Sequence, residues 1–194
     1  MSLDLSQCSD RDLVALARAS QQLAYRELLR RYKAPVFRLI RSNIGDPDEA
    51  MDLTQETFVA GFAALGRYDP DRPFRIWIAR IALNKCRDWA RRRTVRSFFA
   101  RALPLEGAHD VAGDGPAPDA EAADRAELAR VRAAMSRLAP NLREVLVLRG
   151  VEELTQAETA ELLQISEKTV ETRLYRARAK LKTFLDEPST RAAG

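Results

Sequence analysis

One histidine and two cysteines are all that this chain of 194 residues offers of the side chains that most often bind metals or act as nucleophiles. His109 sits in a stretch of prolines, glycines, alanines and acids, which is a poor place to build a catalytic constellation. Cys8 and Cys86 are too few and too far apart for a zinc site, and nothing in their spacing supports a disulfide. Free thiols in a reducing cytoplasm are therefore expected. No glycine-rich phosphate loop, nucleophile elbow or metal-ligand spacing is present. The acids Asp46, Asp48, Glu49, Asp52 and Glu56 invite comparison with a magnesium cluster, but acids at a helix start are explained by capping and by the helix dipole. The sequence predicts no catalytic residue, no metal and no cofactor, and magnesium-dependent cleavage of DNA would be the mark of the enzyme alternative. Long apolar runs are missing as well. No window reaches membrane-spanning length, and MSLDLSQCSDRD lacks the apolar core of a signal peptide. A soluble cytoplasmic protein with no membrane insertion of its own is expected.

What is present is charge, unevenly placed. The formal net charge of +4 and a pI near 9.3 say little by themselves. From Lys85 to Arg101, however, Lys85, Arg87, Arg91, Arg92, Arg93, Arg96 and Arg101 face only Asp88. From Pro104 to Asp124 the balance reverses: Glu106, Asp110, Asp114, Asp119, Glu121 and Asp124 have no lysine or arginine among them. Two basic ends around an acidic middle suggest two nucleic-acid surfaces separated by a segment that avoids DNA.

Nearly all of the remainder has helical periodicity, and no alternating strand pattern is convincing. A short helix is expected over Asp12 to Ala19. A second runs from Ala24 to about Asn43, with Pro35 expected to kink it. Asp46 caps a third, with Pro47 at its first position and Met51, Phe58, Phe62 and Leu65 as its expected inner face. GRYDPDRP at Gly66 to Pro73 reads as a loop. A long helix follows from Phe74 to Arg93, with Phe74, Trp77, Ile78 and Ile81 inward and Trp89, Arg80, Asn84 and Lys85 harder to place in a core. Aromatics beside cations are what proteins use to hold unstacked bases along a single strand. Residues Leu103 to Ala123 interrupt the pattern and read as a flexible linker. A second helical unit then begins near Asp124 with Leu128, Val131 and Met135.

The segment Leu154 to Leu181 is the most telling. Thr155 and Glu158 have capping-box spacing, and Ser166 is suited to cap the next helix. Val170, Leu174, Ala177 and Leu181 form its inner stripe. Lys168, Glu171, Thr172, Tyr175 and Arg178 then share the opposite face, flanked by Arg173, Arg176 and Lys180. Groups able to read base edges, bordered by phosphate-binding cations, suit the major groove of DNA.

Four ordered segments carry a resemblance to bacterial sigma factors of the extracytoplasmic-function type, the compact group within the sigma-70 family. AYRELLRRYKAPVFRLI at Ala24 to Ile40 resembles the first helix of that group's region 2. DPDEAMDLTQETFVAGFAAL at Asp46 to Leu65 is similar to its polymerase-docking helix. FRIWIARIALNKCRDWARRR resembles the promoter-melting segment. LAPNLREVLVLR followed by LTQAETAELLQISEKTVETRLYRARAKL is similar to region 4. The resemblance implies an all-α chain with region 2 over residues 10–96, a flexible acidic linker over 97–123 and region 4 over 124–186. It implies a cytoplasmic factor, often serving stress responses, that binds the β′ and β subunits of core RNA polymerase and directs it to promoter DNA, commonly under an anti-sigma factor.

Residue by residue, Asp52, Gln55 and Glu56 would dock on the β′ coiled coil. Leu65, Gly66, Arg67, Tyr68 and Asp69 would form the loop that captures a flipped minus-10 base, with Arg80, Asn84 and Lys85 beside the non-template strand. Lys168, Thr169, Glu171, Thr172, Arg173, Tyr175, Arg176 and Arg178 would meet the minus-35 element. The linker would thread the polymerase near its RNA channel or serve as a plain tether. The chain departs from the group's pattern at Gln164, where glycine is usual in the turn, at Lys168, Glu171 and Thr172 on the recognition helix, and at Met51 and Leu83. A free-standing helix-turn-helix regulator is the alternative; it explains Leu154 to Leu181 but gives Asp46 to Arg93 no role.

Overall fold

The computed structural model describes residues 5–102 and 119–187, and every regular element within them is helical. The acidic linker sequence, with His109, falls largely on residues 103–118, outside the described residues. The order is α1 (Asp10–Arg18), α2 (Gln22–Ile44), α3 (Pro47–Ala63), a 3-10 turn (Leu65–Arg67), α4 (Phe74–Ala102), α5 (Asp119–Ser136), α6 (Pro140–Gly150), α7 (Gln156–Leu163) and α8 (Glu167–Asp186).

Local chemistry fixes the helix ends. Ser9 Oγ accepts the Asp12 amide at 3.1 Å, and Asp46 Oδ1 accepts those of Asp48 and Glu49 at 3.0 Å. Thr155 and Glu158 form the reciprocal capping box, and Ser166 Oγ accepts the Thr169 amide. Gly45, at φ 84°, ends α2 in the left-handed region. Gln164 ends α7 there too, at φ 55°, so the turn between α7 and α8 does adopt the glycine-like geometry with a glutamine in it.

Helices α1 to α4 pack around Leu13, Leu28, Ile40, Leu53, Phe74, Ile78 and Leu83, all nearly inaccessible to solvent. At Gly61 the α3 backbone comes so close to α4 that a Cβ there would lie 2.8 Å from Ile78 Cδ1. Helices α5 to α8 form a smaller unit whose private core is Val145, Ala160 and Val170, with Leu163, Ile165 and Leu174 around it. So small a unit buries little apolar surface alone. Four of its other buried apolar residues, Val147, Leu148, Leu154 and Leu162, join the core of the first unit. Leu148 and Leu154 lie with Tyr32, Val36, Leu39 and Ile78 around one small apolar cavity.

Three expectations change. Met51 faces outward, 38 % exposed, because Ala50, Leu53, Thr54, Thr57, Phe58 and Gly61 form the buried face of α3. Trp89 is buried, its indole donating to Glu49 Oε2 at 2.9 Å while Arg93 stacks over the ring. It is a core residue with a polar handle and not a base platform. Finally, the segment read as a linker over 97–123 is helical at both ends: α4 continues nine residues past Arg93 to Ala102, since no residue before Pro104 breaks the helix, and α5 already begins at Asp119. Pro35 lies inside an α2 that is continuous from Gln22 to Ile44.

Candidate nucleic-acid interface

On α8, burial of Val170 and Ala177 turns the opposite face to solvent. Lys168, Glu171, Thr172, Tyr175 and Arg178 line one open groove with Gln156 of α7, as the periodicity predicts. Tyr175 is 75 % exposed, an unusual position for a large ring without a partner. Lys168 Nζ holds Glu171 Oε2 at 2.9 Å across one helical turn. Arg176 is exposed and Arg173 half-buried on the flanks, while Thr169 is engaged in the cap with Ser166. The surface thus offers donors and acceptors at its centre and cations at its border.

The second candidate surface is split. In the loop after α3, Leu65 and Tyr68 are buried, and Tyr68 packs edge-on against Phe74 and Trp77 while its hydroxyl donates to Arg72 O. They shape the loop from beneath and leave Gly66, Arg67 and Asp69 as its exposed residues. On α4, Asn84 is exposed, but Lys85 is paired with Glu56 Oε2 at 2.9 Å, and Arg80 donates to the Glu161 carbonyl of α7 at 3.0 Å.

The contacts of Arg80 belong to a set of polar links between the two units that the sequence did not suggest. Arg72 meets Glu161 and Arg75 meets Glu158, each at 2.9 Å. The amide and hydroxyl of Thr155, together with Arg75, hold the Glu158 carboxyl below its ordinary range. Arg87 binds Glu144 with both ends of its fork, a bond that keeps the guanidinium more firmly protonated. Arg143 donates to Asn43 O at 2.6 Å and also to the carbonyls of Met135, Ser136 and Leu138. Arg75, Arg80 and Arg87 of α4 are therefore paired with acids or a carbonyl of the second unit.

The exposed face of α3 is different in character. Asp52, Gln55 and Glu56 stand together, and Val59 beside them is 71 % exposed. An acidic face repels a nucleic-acid backbone, so this surface suits a protein. Val59 was not singled out in the sequence, although Met51, Gln55 and Val59 follow at four-residue steps on the same row.

The family model for Sigma-70 region 2 matches residues 28–96, and that for Sigma-70, region 4 matches residues 128–181. The chain is 44 % identical to the RNA polymerase sigma factor CnrH of Cupriavidus metallidurans over 93 % of its own length and 96 % of that protein. It is 30 % identical to the ECF RNA polymerase sigma factor SigW of Bacillus subtilis over 84 % of its length and 90 % of that protein. Among solved structures, CnrH in complex with the cytosolic domain of CnrY aligns with a TM-score of 0.69 at 37 % identity, covering 93 % of this chain and 99 % of that one. The sigma factor RpoE, in complex with the anti-sigma factor NepR from Bartonella quintana, shares the fold at a TM-score of 0.65 and 19 % identity, over 83 % of this chain and 96 % of that one.

Proposed function

The chain belongs to the extracytoplasmic-function group of the sigma-70 family, and from that membership we propose how its surfaces divide the work of starting transcription. It is a promoter-directing sigma factor that binds core RNA polymerase in the bacterial cytoplasm, with residues 10–96 and 124–186 as its two working units. Asp52, Gln55 and Glu56, with Val59 beside them, dock on polymerase. Gly66, Arg67 and Asp69 hold the captured minus-10 base over a floor made by Leu65 and Tyr68, and Asn84, Lys85 and Arg80 follow the displaced strand. Lys168, Glu171, Thr172, Tyr175 and Arg178 read the minus-35 element, while Arg173 and Arg176 grip phosphates.

The observation that carries this reading is the pairing of unlike surfaces in one chain: an acidic face on α3 with the exposed Val59 beside it, and a groove-lining basic helix at α8. A free-standing DNA-binding regulator needs the second and has no use for the first. The closed packing adds a condition. Arg80 and Arg87 must leave Glu161 and Glu144 before their side of α4 can meet a DNA strand, so the two units separate on polymerase. An anti-sigma factor that favours the closed arrangement would compete with polymerase, and CnrH, which this chain resembles, is known bound to the cytosolic domain of CnrY.

The test is run-off transcription with core polymerase on a promoter library, alongside co-purification with core. Promoter-selective transcripts are expected only when the chain is added. DNA binding without retention on core would instead favour the regulator.

A further inference from the structure

We propose that Arg18, on α1, is a positioning residue for minus-10 recognition: its guanidinium sets the shape of the loop that receives the base. The proposal rests on the base-capturing role given above to residues 65–69. Arg18 lies outside the segment that matches Sigma-70 region 2, so nothing in that match gives it a task.

The geometry is specific. Nε of Arg18 donates to Leu65 O at 2.9 Å, and Nη2 donates to Leu65 O at 2.7 Å, Tyr68 O at 2.8 Å and Gly66 O at 3.2 Å. One cation thus gathers three carbonyls of a loop 47 to 50 residues away. Backbone bonds inside the loop, Arg67 N to Ala64 O and Tyr68 N to Leu65 O, satisfy few of its carbonyls, and none of these three is tied into an α-helical ladder. Drawing them to one side leaves Arg67 and Asp69 exposed on the outside of the loop.

The support beneath Arg18 is rigid. Leu13, Val14 and Ala17 of α1 are buried to 2 % exposure or less. Asp10 at the start of α1 accepts from Arg31 Nη1 at 3.0 Å and from the Tyr32 hydroxyl, and Arg31 Nη2 also donates to Leu5 O and Ser6 O. A helix fastened at its first turn and along its buried face delivers the side chain of its last residue to a fixed point. A planar fork can serve several acceptors at once from that point, whereas an ammonium is a single centre on a flexible stem. Capture of a flipped base requires a preformed cavity, because each displaced loop atom weakens the contacts that distinguish one base from another.

The experiment compares holoenzymes carrying wild type, Arg18→Ala, Arg18→Lys and the double variant Arg67→Ala/Asp69→Ala on promoters randomised across the minus-10 element. Core affinity and retention of a minus-35 duplex are measured in parallel. Arg18→Ala should lower base discrimination at the captured position by about tenfold, with Arg18→Lys in between, while core affinity and minus-35 retention stay within about twofold. If the loop variant loses discrimination and Arg18→Ala does not, the role of Arg18 is refuted and the loop's stands. If the loop variant keeps full discrimination, the base-capture reading fails and the proposal falls with it. A uniform loss across core binding, minus-35 retention and base choice in Arg18→Ala would also overturn it, since that is the signature of a general folding role.

Discussion

Arg87 of α4 and Glu144 of α6 face each other as fork and carboxylate, with Nε to Oε1 at 2.7 Å and Nη2 to Oε2 at 2.8 Å. Glu144 is nearly buried, its side chain 9 % exposed, whereas Arg87 keeps 43 %. The pair joins the two units at the point where the basic surface of α4 would otherwise be open, so it acts as a latch between them.

Loosening this latch should open the molecule. Glu144→Gln keeps the shape but removes the charge, and a double-mutant cycle with Arg87→Met should return a coupling of roughly 1–3 kcal/mol. Small-angle scattering or a fluorescence distance between the units reads the opening directly. An unchanged interdomain distance in Glu144→Gln would remove the latch from the description.

Glu152 should behave in the opposite way. It is half-buried between the units, its buried Oε1 has no hydrogen-bond partner, and Arg38 approaches only to 3.8 Å. Burial raises its carboxyl above the ordinary value of 4.5, only partly opposed by Arg38 and Arg75. A raised folded value favours the fold below pH 4.5 and withdraws that support as pH climbs through the folded value. Removing the titrating group from this position, as in Glu152→Gln, should therefore raise Tm at pH 7 by roughly 2–4 °C. Calorimetry at pH 7 checks this, and a lower melting temperature in the variant contradicts it.

Polymerase binding should be separable from folding. The Glu56–Lys85 pair lies at the surface, with Glu56 exposed and Lys85 half-buried, and surface pairs contribute little to stability, about 0–1 kcal/mol. Gln55→Ala/Glu56→Ala should then melt like wild type while losing about 2–5 kcal/mol of core affinity. Equal affinity in a folded double variant would show that polymerase docks elsewhere.

On the recognition helix, reading and holding should divide. Glu171→Ala should shift base preference at one minus-35 position by about 1–3 kcal/mol, with cytosine the base it favours through N4. Arg176→Ala should weaken all sequences alike and flatten the salt slope by about one unit. A changed preference in Arg176→Ala, with none in Glu171→Ala, reverses the assignment.

Cys86 supplies a chemical reporter of the closed state. Burial first, and the nearby Glu144 charge second, push its thiol up to about 12, and it is 6 % exposed. Only the thiolate reacts readily, so at pH 8 a maleimide should label Cys8 and spare Cys86. Labelling of Cys86 should rise when Glu144→Gln opens the interface. Rapid labelling of Cys86 in the closed wild type would contradict its burial.

Helix starts and the face of α8 were legible because they depend on near neighbours. Asp46 with Pro47, Thr155 with Glu158 and Ser166 each announce a helix within four residues, and each is found capping it. The groove residues of α8 follow from a period of 3.6 once Val170 and Ala177 are buried. Met51 and Trp89 were misread for a common reason. Periodicity states which residues share a face but not how wide the buried stripe is, and α3 is buried along a stripe rich in small and polar residues, Ala50, Thr54, Thr57 and Gly61.

Sequence alone determined the helical character of the described residues, their capped elements, the polar and basic outer face of α8 and the acidic row on α3, since these arise from spacing along the backbone and from the order of four motifs. Tertiary structure alone decided that Arg18 reaches residues 65–68, that Arg72, Arg75, Arg80 and Arg87 meet acids or carbonyls of the other unit, and that the Oε1 of Glu152 is left without a partner between the units. Those partners stand 47 to 89 residues apart in the chain, and a charged side chain carries no mark of which distant group it will meet. The small second unit has apolar residues to spare, and burying Leu148 and Leu154 against α2 and α4 brings its acids onto those arginines.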